Sequence, residues 1–329
     1  MLTTVKKERS TQLRAQDGQQ AQVFLTLENP SEAFSLAGLP VGGVGLVQLE
    51  FMLMHSIQIH PLALIHFDQV QSSSERERIG RLTRHYEDGQ KAQFFVDRLA
   101  QGLGTIAAAF YPRPVIVRFS NLTSTEFALL LGGSQFELQE ENPQIGWRGA
   151  SRYTTDRYRA AFALECQALR RVRDGIGLTN IIPMVPFCRT PAEGRRVLEE
   201  MAQHGLEQGK NELQVYLMAE LPSHVMQAEA FCTLFDGLSV NLDSLTQLAL
   251  GLDQASERLT EQGEGQNEVI ERMVQHLLAA TRKYHRPLGL CRESPGFSQT
   301  GNRWLGQPGV PWLSLRPDAA VQKLATILV

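Results

Sequence analysis

Eight short apolar runs recur along the chain, separated by longer stretches with helical periodicity. They cover residues 23–27, 44–47, 115–119, 181–185, 215–218, 238–242, 288–291 and 312–315. The runs are rich in Val, Ile, Leu and aromatic residues, as buried parallel strands are. Alternation of strands and helices implies parallel strands joined by helical crossovers. About eight such units over roughly 250–300 residues predict an α/β fold of the (β/α)8 (TIM) barrel type.

Local signals support the helices between these strands. Thr190, followed by Pro191 and Glu193, has the pattern of a capping box with proline at the first helical position. Residues 29–32 (NPSE) repeat this signature. Residues 52–112 are mainly helical in pattern, and we expect them to form a long excursion after the first barrel strand.

The alternative architecture is a doubly wound open sheet. It is disfavoured because no G-x-G-x-x-G or Walker-type loop follows any strand. Residues 42–45 (GGVG) are glycine-rich but precede their strand, so they predict a tight turn with close backbone packing. Residues 1–20 are polar and predict a mobile tail, which leaves residues 21–329 for the barrel.

The composition limits the classes of partner. The chain of 329 residues is 43% hydrophobic and 20% charged, with a formal net charge of −3. This balance is typical of a soluble globular protein and gives no reason to expect a nucleic-acid or membrane partner. No apolar stretch is long enough to span a bilayer, and the N-terminus lacks the apolar core of a signal peptide. The four cysteines show no C-x-x-C spacing, so disulfides and structural zinc are not expected and the cytoplasm is the default location.

Polar and charged residues follow the apolar runs at the points where barrel strands would end. In a (β/α)8 barrel, the carboxyl ends of the strands carry the functional groups. In chain order these are Gln48 and Glu50, Arg118, Arg148 with Arg152, Glu220, Asp243 with Ser244, and Cys291. Two arginines, one or two carboxylates and a thiol are therefore expected to converge on one mouth.

These residue types suit a small anionic substrate. Arginine offers a fixed fork of donors for a carboxylate or a phosphate. Glutamate and aspartate oxygens can hold Mg²⁺, which shares substrate oxygens and would stabilise the charge of an enolate. A thiol near the enolate carbon could give or take a proton.

Each candidate also has a structural interpretation. A charge on the buried strand of Arg118 is improbable unless it faces a polar mouth. Arg148 and Arg152 lie in a glycine- and polar-rich turn, where solvated arginines are common. Glu220 could cap the next helix near its positive N-terminus, and Cys291 could be a small buried hydrophobe. The residues alone leave both interpretations open.

Several longer strings carry a family resemblance. They are ENPSEAFSLAGLPVGGVGL, QIHPLALIHFD, AAAFYPRPVIVRFS, ENPQIGWRGASRY, ALECQALRRVRDGIGLTN, MAELPS, LTQLALGLD and GLC. In order and spacing they resemble the C-terminal barrel of phosphoenolpyruvate (PEP) synthases, the pyruvate, water dikinases of the PEP-utilising enzyme family. The resemblance runs from about residue 21 to the C-terminus.

The resemblance implies a (β/α)8 barrel that binds PEP or pyruvate together with Mg²⁺. It implies that Arg118 and Arg148 bind the phosphate and the carboxylate of the substrate. It also implies a metal ligand at Glu220 and, at Cys291, the thiol that protonates the enolate of pyruvate. A barrel-mediated homodimer is a further implication.

The departures from the family pattern are concentrated in the same site. This chain reads GLVQLEF where the family reads approximately GLARLEF, so Gln48 replaces a phosphate-binding arginine. The change removes a charge-assisted contact worth about 1.5–3 kcal/mol. Ser244 replaces the second metal ligand, and the adjacent Asp243 could take over metal and substrate binding only with a local backbone change. After the cysteine the family has a small, glycine-containing loop, whereas this chain reads Arg292, Glu293 and Ser294. Either the charged pair Arg292 and Glu293 fills the site, or Arg292 replaces the cation lost at Gln48.

Three functional hypotheses follow. The family's full-length enzymes also carry an ATP-binding domain and a phosphohistidine domain, and we recognise neither in these residues. We therefore expect at most the PEP/pyruvate half-reaction, with another protein presenting the phosphohistidine. The favoured hypothesis is a binding or regulatory barrel that retains part of the PEP or pyruvate pocket, with catalysis weakened or lost. The alternative is a Mg²⁺-dependent enzyme of enolate chemistry, either the phosphotransferase half-reaction or a lyase, and a purely structural role is the third.

Overall fold

Parallel strands close into an eight-stranded barrel in the computed structural model, which describes residues 21–252, 268–292 and 309–327. The strands are β1 (Gln22–Leu27), β2 (Val44–Gln48), β3 (Val115–Arg118), β4 (Ile181–Val185), β5 (Tyr216–Ala219), β6 (Gly237–Asn241), β7 (Leu288–Cys291) and β8 (Trp312–Leu315). Each strand pairs in parallel with the next, and β1 pairs with β8 to close the ring. The predicted (β/α)8 barrel is confirmed, and every predicted strand boundary lies within one residue of the observed boundary.

Helices connect the strands on the outside of the barrel. The α-helices of the described residues are α1 (Ala33–Leu36), α2 (Leu49–Phe51), α3 (Pro61–Ile65), α4 (Ser73–Leu82), α5 (Lys91–Phe110), α6 (Ser124–Ala128), α7 (Gly133–Phe136), α8 (Ala150–Tyr153), α9 (Arg159–Arg170), α10 (Pro191–Gln203), α11 (Pro222–Met226), α12 (Ala228–Leu234), α13 (Leu242–Leu250), α14 (Glu268–Lys283) and α15 (Pro317–Ile327). Turns of 3-10 helix lie at Pro30–Glu32, Phe67–Gln69, Asp88–Gln90, Pro143–Ile145 and Lys210–Glu212, and π-helical turns lie at Met52–Ile57 and Arg171–Gly175.

Side-chain caps begin two helices where the sequence predicted them. The side chain of Thr190 accepts a hydrogen bond of 3.2 Å from the backbone N–H of Glu193 at the start of α10. Asn29 caps the 3-10 turn before α1 in the same way, accepting from the N–H of Ser31 at 3.1 Å. In both places the cap satisfies backbone donors that the first helical turn leaves without a partner.

The helical excursion lies between β2 and β3, and the prediction that it follows the first barrel strand was wrong. The physical reason is that Gln22–Leu27 is itself a barrel strand, which pairs with β2 on one side and with β8 on the other. The excursion is helical, as predicted, and contains α3, α4 and the long helix α5. One face of α5 is buried, and this helix packs against α9 on the outside of the barrel.

The barrel interior is a packed core. Its apolar cluster contains Phe24, Leu46, Ile116, Ile182, Met184, Tyr216, Met218, Cys291 and Trp312. Glycines make room for this cluster, because a Cβ at Gly289 would lie 1.9 Å from the Trp312 ring and a Cβ at Gly42 would lie 2.3 Å from the ring of Phe24. The close packing predicted for residues 42–45 is therefore confirmed. Since side chains fill the interior, a ligand can reach the strand ends only from the mouth.

Several predictions fall on residues outside the described ranges. The mobile tail predicted for residues 1–20 is among them, and so are Glu293 and Ser294. Within the described part of the chain, no helix combines the length and the apolar character that crossing a bilayer requires. All four cysteines are buried free thiols.

Candidate functional site

The parallel strands bring the predicted residues to one end of the barrel. Gln48, Arg118 and Cys291 are the last residues of β2, β3 and β7, Glu220 directly follows β5, and Asp243 lies in the first turn of α13 after β6. Parallel strands in a closed barrel all end on the same side, so these residues lie together at one open end of the barrel. We call this opening the mouth.

Arg118 lies in the mouth with its charge compensated. Its side chain is almost completely buried, and its Nη2 lies 3.2 Å from Oε1 of Glu50. Its Nη1 lies 3.6 Å from Sδ of Met218. Glu50 lies in α2, just beyond the end of β2, and supplies the opposite charge that a buried guanidinium requires. Arg118 thus faces polar groups, and its substrate-binding role stays a prediction.

Arg148 is held over the mouth by Asn121. The Nε of Arg148 donates to Oδ1 of Asn121 at 3.1 Å, and Nη2 donates to the backbone oxygen of the same residue at 2.9 Å. The guanidinium lies 4.8 Å from the centre of the Phe187 ring. Burial lowers the pKa of Arg148, while the nearby Glu220 raises it and Arg118 lowers it. Arg148 is therefore a fixed, partly desolvated cation near the charges of β3 and β5.

Glu220 fixes the loop against which Arg148 packs. Its Oε1 accepts a hydrogen bond of 2.8 Å from the backbone N–H of Phe187, whose φ of 49° lies in the left-handed region. Only a few per cent of residues other than glycine adopt this conformation, so the carboxylate helps to stabilise an uncommon backbone. Gly149 (φ 57°) allows the Arg148 loop to approach, because a Cβ there would lie 2.6 Å from the Cβ of Phe187.

His224 positions the backbone of Glu220. Its Nδ1 accepts hydrogen bonds from the N–H groups of Glu220 (2.9 Å) and Leu221 (3.2 Å), so Nε2 carries the proton and donates to the backbone oxygen of Cys188 at 2.5 Å. Burial lowers the pKa of His224 to about 4. The imidazole is therefore neutral at physiological pH and serves as a rigid support.

A buried carboxylate supports the loop that carries Asn121. Both oxygens of Glu165 accept hydrogen bonds from Ser120, from its Oγ at 2.5 Å and from its backbone N–H at 3.0 Å. The hydroxyl of Tyr153 donates to the backbone oxygen of Ser120 at 2.7 Å. Burial raises the pKa of Glu165 to about 7. Glu165 and Tyr153 thus hold the segment after β3 in place. This segment carries Asn121, so the contacts of Asn121 with Arg148 are held in place as well.

Asp243 and Arg292 form an ion pair at the ends of β6 and β7. The Nε of Arg292 donates to Oδ1 of Asp243 at 2.7 Å, and both side chains are largely buried. The side chain of Asn241 caps α13 by accepting from the backbone N–H of Ser244 at 3.2 Å. Ser244, at the position that the resemblance gives to a metal ligand, thus contributes its backbone to the cap.

Cys291 lies inside the barrel. Its side chain is fully buried within the interior apolar cluster, and its thiol donates to the backbone oxygen of Val240 at 3.5 Å. This environment resembles that of a structural cysteine, although its position at the end of β7 is also compatible with the mouth. The proton-donating role of Cys291 stays a prediction.

Gln48 lies beside Arg118, at a position where the family resemblance gives an arginine. The two residues are partners in the β2–β3 register, and Gln48 is buried. A neutral amide can donate hydrogen bonds to an anion but adds no charge. The mouth therefore has one fewer cation than the family pattern has at this position.

The predicted metal ligands, Glu220 and Asp243, do not form a ready donor set for Mg²⁺. One oxygen of Glu220 accepts from a backbone N–H, and the carboxylate of Asp243 is paired with Arg292. Among the described residues, no group of three His, Cys, Asp or Glu side chains is placed to hold a metal. Mg²⁺ binds through one or two carboxylates that are available to it. Asp243 as arranged fits a guanidinium better than Mg²⁺, and the metal-binding roles stay predictions.

Arg152 belongs to a separate buried network and is not one of the groups of the mouth. It is fully buried and donates to both oxygens of Glu137 at 2.6 and 2.7 Å. His60 contacts the same carboxylate at 2.9 Å, and burial lowers the pKa of this histidine. The guanidinium also packs on the rings of Trp147 and Phe127. Arg152 therefore neither converges on the mouth nor lies solvated in a turn.

Sequence reasoning missed several supporting residues. Asn121, Phe187 and His224 were not singled out, although they hold Arg148 and Glu220. Asn121 follows the end of β3 by three residues and could have been found as one more polar group after a strand. Phe187 gives no such signal, because its left-handed backbone arises from tertiary contacts.

The described geometry defines a (β/α)8 barrel protein with arginines and carboxylates collected at the carboxyl ends of its strands. The sequence profile of the family described as "PEP-utilising enzyme, PEP-binding domain" matches residues 3–327. The chain belongs to this family.

Curated relatives agree with this assignment. The phosphoenolpyruvate synthase of Synechocystis is 48% identical over 306 residues, which are 93% of this chain and 37% of the relative. The phosphoenolpyruvate synthase of Escherichia coli is 41% identical over 301 residues, 92% of this chain and 38% of the relative. The chain thus spans less than half the length of these relatives.

A solved structure supports the fold alone. The magnesium/glyoxylate complex of Haloferax volcanii malate synthase superimposes with a TM-score of 0.50 at 11% identity, covering 95% of this chain and 77% of that one.

Proposed function

We propose that this chain binds PEP, pyruvate or a similar small anion at the mouth, in a binding or regulatory role with catalysis weakened or lost. The observation that carries the proposal is the pair of immobilised arginines, Arg118 on Glu50 and Arg148 on Asn121. Guanidinium groups that are already fixed lose little entropy on binding and make strong charge-assisted contacts in a desolvated site. Gln48 and the pairing of Asp243 with Arg292 support the loss of catalysis.

The second candidate is a Mg²⁺-dependent enzyme of PEP or pyruvate enolate chemistry. The position of Cys291 at the mouth end of β7 favours it, since a thiol near the enolate carbon could give or take a proton. In this version the chain performs a phosphotransferase half-reaction with a phosphohistidine-bearing partner, or a lyase reaction. The partner protein, a barrel-mediated homodimer and a cytoplasmic location all stay predictions.

Thermal melting with oxalate, PEP or pyruvate tests the proposal. A ligand at a hundredfold excess over its Kd should stabilise the protein by about 2.7 kcal/mol. We expect a rise in Tm with PEP or oxalate and no rise with an uncharged analogue of similar size. If none of the three anions raises Tm, with or without Mg²⁺, the binding function is refuted and a structural role is left.

A further inference from the structure

The carboxylate of Asp243 holds a guanidinium in the part of the mouth where the resemblance places a metal. Asp243 lies in the first turn of α13, and Arg292 directly follows β7. Their side chains are only 10% and 16% exposed, so the ion pair of 2.7 Å is shielded from solvent. A shielded pair persists because separating it would leave a buried charge uncompensated.

Met218 connects Arg118 to the end of β6, the strand that directly precedes the helix of Asp243. The sulfur of Met218 lies 3.6 Å from Nη1 of Arg118 and 3.8 Å from Nδ2 of Asn241. Asn241 pairs in register with Cys291, the residue before Arg292. Arg292, the next residue along the chain, therefore lies at the same end of the barrel as Arg118.

Resting on the proposed function, we propose that Arg292, held by Asp243, supplies the positive charge of the anion site in place of a divalent metal. The site would then bind an anion with a carboxylate and a phosphate, as in PEP, without Mg²⁺. A guanidinium carries five N–H donors in one plane and makes strong charge-assisted contacts with the oxygen atoms of carboxylates and phosphates.

The charges of the mouth support this assignment. Arg118 is paired with Glu50 and Arg292 with Asp243, while burial lowers the pKa of Arg148 and the nearby carboxylate of Glu220 opposes this shift. A divalent ion at Asp243 would lie beside the Arg292 cation and would be repelled by it. Ser244 offers only a neutral hydroxyl at the neighbouring position. An anion would instead be attracted by the Arg292 cation. Each guanidinium is also held in place before the anion binds.

Calorimetric titration of the whole chain with PEP tests the inference in two conditions. One contains excess EDTA and the other saturating Mg²⁺. We expect Kd values that agree within about twofold, a difference of roughly 0.4 kcal/mol. A Kd that is tighter by tenfold or more with Mg²⁺, on the order of 1.4 kcal/mol, would refute the inference but leave the proposed binding function intact. Absence of binding in both conditions would refute both.

Two variants separate a guanidinium site from a metal site. In EDTA, Arg292→Ala should weaken PEP binding by about tenfold to a hundredfold, because a charge-assisted contact is lost. Arg292→Lys keeps the charge and should recover part of this loss. Arg195→Ala, on the exposed face of α10, is the matched control and should bind as wild type does. If Arg292→Ala binds PEP as tightly as wild type, the inference is wrong.

Glu220→Gln should change PEP binding in opposite directions at a metal-free site and at a metal site. The amide oxygen can still accept from the N–H of Phe187, so the loop is retained while one negative charge is removed. At a metal-free site this change should tighten PEP binding, since the anion is repelled less. At a metal site it should weaken binding in Mg²⁺, because a ligand of the ion is lost. Weaker binding in Mg²⁺ together with unchanged binding in EDTA would contradict the inference.

Discussion

The backbone N–H of Phe187 donates a hydrogen bond of 2.8 Å to the carboxylate of Glu220. The ring of Phe187 packs under the guanidinium of Arg148, so the residue after β5 helps to place an arginine that belongs to the loop after β3. The mouth is therefore built by contacts between loops, and each loop depends on its neighbours for its conformation.

Arg148→Ala should abolish the stabilisation that PEP or oxalate gives to the protein. The variant loses a fixed guanidinium, and a hydrogen bond to a charged group is worth about 1.5–3 kcal/mol. Melting curves with and without ligand measure the effect, and Arg195→Ala on the exposed face of α10 is the control. An undiminished Tm shift in Arg148→Ala would mean that the anion binds elsewhere.

The wild-type chain should not catalyse Mg²⁺-dependent exchange of the methyl protons of pyruvate with solvent. Mg²⁺-assisted enolate formation requires carboxylates that can hold the ion, and the carboxylate of Asp243 is already paired with Arg292. Proton NMR in deuterium oxide measures the exchange, with an active phosphoenolpyruvate synthase as the positive control. Exchange that disappears in Cys291→Ser would favour the enzyme over the binding protein.

Arg152→Ala should destabilise the fold by about 3–5 kcal/mol, because it leaves Glu137 buried without its charged partner. Urea denaturation at neutral pH measures the free energy of unfolding. The double variant Arg152→Met with Glu137→Gln should cost less than the sum of the two single changes, since no charge is left unpaired. Additive effects would show that the ion pair itself contributes little.

Glu165→Gln should change how stability depends on pH. Because burial raises the folded pKa of Glu165 to about 7, the folded state binds more protons than the unfolded state between pH 4.5 and 7. This group therefore lowers stability as pH rises through that window, by about 3 kcal/mol in total. The lowered pKa of His224 acts in the opposite direction, so the informative quantity is the difference between variant and wild type.

The free energy of unfolding of Glu165→Gln, relative to that of wild type, should increase from pH 5 to 8. Urea denaturation at a series of pH values measures this difference. The amide can preserve both contacts with Ser120 by accepting from its backbone N–H and donating to its hydroxyl. Glu199→Gln, on the exposed face of α10, should show no such trend. A difference that does not vary with pH would mean that Glu165 is ionised in the folded state like an ordinary carboxyl group.

The strands were predictable because a parallel strand that is buried on both faces is required to be mainly apolar. This one requirement located all eight strands to within one residue of their ends. The position of the helical excursion was mistaken, because the same pattern cannot say which run is the first member of a closed ring. Closure is a property of the pairing between β1 and β8, which no local signal reports.

The sequence predicted the residues of the mouth better than their contacts. Arg118, Glu220 and Asp243 could be selected because they end or directly follow apolar runs, whereas Arg148 was indicated by the family resemblance. The pairing of Asp243 with Arg292 depends on side chains 49 residues apart, and the sequence leaves it open whether this arginine fills the site or replaces a cation. The burial of Arg152 could not be predicted from the sequence either, since its partner Glu137 lies in another loop.

The pairing of β1 with β8 has a consequence for synthesis of the chain on the ribosome. The first strand ends at Leu27, and its second neighbour begins only at Trp312. At about 5–20 residues per second, translation leaves one edge of the nascent sheet without its partner for tens of seconds. An unpaired, apolar edge can recruit other strands, so newly made chains should depend on chaperones until Leu315 has emerged.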